Sequence, residues 1–70
     1  SVYPNPTSDL VLIEIDGYSG PVQLKLYDLS GKLIEFNYGR TLHLKDCSRG
    51  VYVISISYGD LTKDVRILRQ

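Results

Sequence analysis

The chain has 70 residues, with eight Lys/Arg balanced by eight Asp/Glu for a formal net charge of zero. That length permits one domain, residues 1–70, whose core supplies no more than about 3–5 kcal/mol and leaves little for a strained catalytic pocket. The charge balance excludes the one-signed basic face with which nucleic-acid binders displace counterions.

The longest apolar run, Leu10–Ile13, falls far short of the ~18 residues that span a bilayer, so no transmembrane segment is expected. The chain opens on Ser1 without Met or a signal-peptide pattern, so we expect a piece of a longer polypeptide with any leader upstream. A single cysteine, Cys47, cannot staple the fold, which must rest on packing. There is no Ala and no Met, apolar residues recur at every second position, and Gly or Pro punctuates the chain. Short strands at this spacing predict an all-β sandwich.

Val2–Pro6 comes first. Pro4 and Pro6 lack donor N–H groups and bias their predecessors toward extended geometry, so the segment is predicted to lie along a sheet edge. Asp9–Ile15 is predicted as the first full strand, with Val11, Ile13 and Ile15 on one face. Leu10 and Leu12 lie opposite, which predicts cover on both sides at its start. Asp16–Pro21 is turn chemistry. Val22–Asp28 then alternates Val22, Leu24 and Leu26 inward with Gln23, Lys25 and Tyr27 outward.

Leu29–Lys32 closes a tight turn in which Gly31 supplies a positive φ. A short strand, Lys32–Phe36, follows, and Asn37–Arg40 turns again. Thr41–Leu44 points Leu42 and Leu44 inward, and Lys45–Gly50 is a polar connection. Val51–Tyr58 alternates Tyr52, Ile54 and Ile56 inward with Val53, Ser55 and Ser57. Gly59-Asp60 fits a two-residue hairpin turn. Leu61–Leu68 turns Val65 and Ile67 inward, leaving Lys63, Asp64, Arg66 and Arg69 mostly at solvent. Six strands and the proline-flanked edge segment give about seven, and turns this short predict antiparallel pairing.

Chemistry is sparse. His43 precedes Cys47 by four residues but sits at an outward strand position, and a thiol nucleophile needs an imidazole, an orienting group and an oxyanion hole. Cys47 reads as a small hydrophobe, so no catalytic residue is assigned. One His, one Cys and scattered acids do not make a metal site. Asp16 and Asp46 could meet a Ca²⁺, but turn acids more often bond local backbone N–H groups. No cofactor is expected. Six tyrosines raise an alternative function, an accessory carbohydrate- or protein-binding sandwich of a larger secreted protein. They do not fall on one face, however: Tyr52 alternates with the core set and Tyr27 with the outward set.

The order of the punctuation is more informative than any single piece. V-Y-P-N-P-T at Val2–Thr7, L-Y-D-L-S-G-K at Leu26–Lys32 and G-V-Y-V-I at Gly50–Ile54 precede a basic last strand, K-D-V-R-I-L-R at Lys63–Arg69. This succession resembles the type A C-terminal sorting domain carried by type IX secretion cargo of Bacteroidetes-type bacteria, and it spans the whole chain. The resemblance implies a small antiparallel immunoglobulin-like sandwich that is not an enzyme. Tyr3, Pro4, Asn5, Pro6, Gly31, Gly50 and Tyr52 would be motif residues that mainly make the fold. The family usually carries an aliphatic residue where Cys47 stands.

The resemblance further implies export through the periplasm to the outer-membrane surface or beyond. The partners would be an outer-membrane shuttle, a translocon and a surface sortase that cuts upstream of the Y-P-N-P segment. Recognition is expected near the last hairpin, at Tyr58, Gly59, Asp60, Lys63, Arg66 and Arg69, where an edge strand can be extended by a partner. Exposed edges also permit self-association between copies.

Overall fold

A computed structural model describes residues 1–70. Seven strands follow one another without a helix: β1 (Val2–Tyr3), β2 (Leu10–Ile13), β3 (Val22–Asp28), β4 (Leu33–Tyr38), β5 (Thr41–His43), β6 (Gly50–Tyr58) and β7 (Leu61–Arg69). They form two sheets, one ordered β1-β2-β5 and the other β4-β3-β6-β7, with every strand pair antiparallel. The predicted small immunoglobulin-like sandwich is the fold observed.

Alternation decides the faces. Val22, Leu24 and Leu26 of β3 and Tyr52, Ile54 and Ile56 of β6 bury against Val11 and Ile13 of β2, with Leu42 and Leu44 at the β5 end. Ile67 of β7 completes this core, and Val65 packs beside it partly buried. At roughly 1.5–3 kcal/mol per aliphatic side chain, this burial carries most of the stability.

Four expectations need correction. Leu10 is 37% exposed, because no third layer covers the outer face of the small sheet, so β2 is not covered on both sides. The second is the length of β2, which keeps only four of its seven predicted residues. Third, β4 runs on to Tyr38, so the turn that follows it begins later than predicted. Lastly, Val2–Pro6 is not one extended run. β1 ends at Tyr3, and the chain bends through Pro4–Pro6, with cis Tyr3-Pro4 and Asn5-Pro6 bonds, before Thr7 makes a parallel bridge to Arg69. Two donor-less prolines cannot sustain a ladder.

The β3–β4 hairpin is organised by one carboxylate. Asp28 Oδ1 accepts from Ser30 N (2.9 Å), Ser30 Oγ (2.6 Å) and Lys32 N (3.0 Å). The Ser30 hydroxyl first, then the Lys32 amide, hold its carboxyl below the ordinary 3.8. Gly31 takes φ +89° between them, a conformation that side-chain-bearing residues resist.

Candidate recognition surface

The last hairpin is tight and exposed at its tip. Tyr58 pairs with Leu61, leaving Gly59 and Asp60 as the two-residue turn predicted. Tyr58 leans on Tyr18, their ring centroids 5.2 Å apart at a tilt of 58°. On the outer face Ser57 and Thr62 share a 3.1 Å hydroxyl hydrogen bond across the two strands.

The three basic residues of β7 do not gather into one patch. Lys63 and Arg69 belong to the core-side row with Val65 and Ile67, and six residues of strand put them about 20 Å apart. Arg66 belongs to the opposite face, paired with Val53. Lys63 and Arg66 are exposed, as expected, but Arg69 is not a free rim cation. Its Nε donates to Leu44 O at 3.0 Å and its Nη2 reaches Lys45 O at 3.4 Å, so it clamps the end of β5. Row membership made this legible, since a core-side position near the strand end can reach the facing sheet.

The Y-P-N-P-T segment has a defined task at the edge of β7. Asn5 Nδ2 donates to Arg66 O (3.0 Å) while Asn5 Oδ1 accepts from Leu68 N (3.0 Å). Thr7 continues the cover with its backbone, N to Leu68 O at 2.9 Å and O from Gln70 N at 2.8 Å. The Thr7 hydroxyl, in a residue only 2% exposed, donates to Leu10 O (2.8 Å) and accepts from Asp9 N (3.2 Å). Thr7 and Asp28 are structural residues that sequence reasoning did not single out. An oxygen-bearing side chain directly after Pro6, and Asp two residues before Ser30, were the available signals.

Of the other motif residues, Tyr3 stays exposed beside Pro4 and Pro6 on the surface. Gly50 opens β6 at φ +150°, opposite Arg69. Tyr52 is buried to 8% exposure and donates from its hydroxyl to Ser48 O at 2.6 Å. Cys47 packs partly buried against the core, where burial, then Glu35, push its thiol up. His43 points to solvent, 3.5 Å from Asp9 Oδ1 but without a hydrogen bond to it. The aromatic residues split into separate pairs, Tyr18 with Tyr58 and Phe36 with Tyr38, while Tyr52 lies in the core. No three of the His, Cys, Asp and Glu side chains converge as metal ligands, and no helix is long and apolar enough to cross a membrane.

Comparison with known proteins agrees with the motif order. The family described as Secretion system C-terminal sorting domain matches residues 1–69. No curated protein matches the chain closely enough to stand as a relative. With all but one residue covered and every motif turn accounted for in the sandwich, the chain belongs to the C-terminal sorting domains of type IX secretion.

Proposed function

We propose that this domain carries its cargo across the outer membrane by presenting the β6–β7 hairpin to a type IX shuttle and translocon. The observation that carries the reading is the division of labour among its residues. Asn5, Thr7, Asp28, Gly31, Gly50, Tyr52 and Arg69 are occupied in holding the fold. Tyr58, Gly59 and Asp60 form the tip of the last hairpin, and Lys63 and Arg66 stand exposed along β7 with no side-chain partner. A surface sortase would then cut upstream of Tyr3-Pro4-Asn5-Pro6 and join the cargo to the cell surface, placing the cargo on the outer membrane or outside it. A sorting signal of this kind is not itself catalytic; any enzyme activity belongs to the cargo.

Fusion of the domain to a periplasmic reporter in a bacterium with type IX secretion tests this. Export of the reporter is the expected result. Periplasmic retention together with sugar binding by calorimetry would favour an accessory module instead. Lys63→Ser with Arg66→Ser should leave the circular dichroism spectrum intact while the reporter accumulates in the periplasm. Normal secretion by that variant would remove both residues from the recognition surface. Arg69→Ser is a poor probe, because it releases Leu44 O and Lys45 O and loosens the sandwich.

A further inference from the structure

The cover over β7 stops halfway. In this strand the odd-numbered residues bond to β6, since Tyr58 and Leu61 close a two-residue turn, and the even-numbered ones direct N–H and C=O away from the sheet. Arg66 O, Leu68 and Gln70 are met by Asn5 and Thr7. Thr62 and Asp64, with the N–H of Arg66, have no such partner. Beside this bare stretch the sandwich is open, and a cleft of about 540 Å³ lies between β7 and the small sheet. Ile13, Ile56 and Val65 line it, with exposed Glu14, Asp16 and Lys63 as its charged side chains.

We infer that this half-edge and cleft form an acceptor groove for one extended strand of a partner protein, with an aliphatic side chain flanked by Lys or Arg. The inference rests on the reading that the last hairpin is the recognised end. A strand laid along Thr62–Arg66 gains backbone hydrogen bonds, and its alternate side chains fall either into the cleft or onto the outer face. The cleft accepts an aliphatic group. In the cleft Glu14 and Asp16 face one side-chain cation, Lys63, so a basic strand is complemented and an acidic one repelled. A second copy of this chain is a poor occupant. Two β7 edges related by a two-fold axis at the bare stretch would set Asp64 against its own copy, and like charges directly opposite are destabilising.

The test uses the 70-residue chain labelled with ¹⁵N and with ¹³C-methyl groups, and a capped heptapeptide, Thr-Lys-Thr-Ile-Thr-Lys-Thr. On titration, the amides of Thr62 and Asp64 and the methyls of Ile13, Ile56 and Val65 should shift, and the Thr62 and Asp64 amides should gain exchange protection. The Leu68 amide, already bonded to Asn5, should not move. Asp64→Pro removes an outward N–H without breaking a bond to β6 and should weaken binding about tenfold, the worth of one hydrogen bond left unmade. N-methylation of the peptide at its central Ile should do the same with the chain unaltered, should the variant fold poorly. Shifts confined to Phe36 and Tyr38, no shift at millimolar peptide, or a dimer formed through Thr62–Asp64 in sedimentation would each overturn the groove. The export assay separates this result from the parent reading. A reporter exported by a chain that binds no peptide sinks the groove alone, whereas a reporter retained despite peptide binding sinks the sorting assignment alone.

Discussion

The two edges of the four-stranded sheet are finished in opposite ways. Along β7, the Asn5 amide offers one donor and one acceptor at the spacing of a peptide unit, and Thr7 takes over with its own backbone. Along β4 no further strand pairs, and Ile34, Phe36 and Tyr38 remain 41, 46 and 69% exposed. A bulge at Leu26/Tyr27 and the Lys25 ammonium, 5.8 Å above the Phe36 ring, are the only features that roughen that side. The contrast teaches that the proline motif beyond β1 works as an edge cover and not as a strand in its own right. Strand edges are liabilities unless blocked, and here Asn5 and Thr7 block half of one.

The largest effect should separate the two edges by burial. Ile67→Ala empties a position 1% exposed and should cost about 2–5 kcal/mol in chemical denaturation, enough to unfold much of the population. Ile34→Ala on β4 should cost less than about 1 kcal/mol; equal losses would break the contrast. Next, Asn5→Ala removes both amide bonds to β7 and should cost about 1–2 kcal/mol, with faster hydrogen exchange at Leu68. An unchanged Leu68 exchange rate would mean the cover is ornamental.

A smaller, pH-dependent effect belongs to the hairpin that carries the bare edge. Asp28 is held below 3.8 by Ser30 and Lys32, so its contribution is present above the ordinary carboxylate range. It is lost as pH falls through the depressed native value. Asp28→Ala should therefore flatten the acid limb of the stability curve relative to the parent chain. The smallest effect concerns Cys47, whose thiol is pushed above its ordinary 9.0 chiefly by burial. Iodoacetamide should modify it more slowly at pH 8 than a free cysteine, and denaturant should abolish the difference.

Faces were legible in the sequence and partners were not. Strict alternation located Val22–Asp28 at its observed bounds and assigned Tyr52, Ile54 and Ile56 to the core, because a period of two is local information. That same period is silent on which strand lies beside which. The β3–β6 pairing, which sets Leu24 opposite Ile56, had no sequence signal, since it joins strands separated by a visit to the other sheet. Leu10 misled because apolar character does not require a covering layer. The role of Asn5 was hidden for a related reason, as its partners lie 61 and 63 residues away. Of the proposed surface, the turn at Gly59-Asp60 and the split of Lys63 and Arg69 from Arg66 by alternation were readable, while the Arg69 bonds to Leu44 O and Lys45 O needed the fold.

Because Asn5 and Thr7 fasten onto Arg66, Leu68 and Gln70, the first residues of the domain find their partners only when its last ones have been synthesised. Contacts so distant in sequence form late and slowly. A chain lacking the last strand would thus leave the opening segment without partners, so the clasp closes only when both ends of the domain are present.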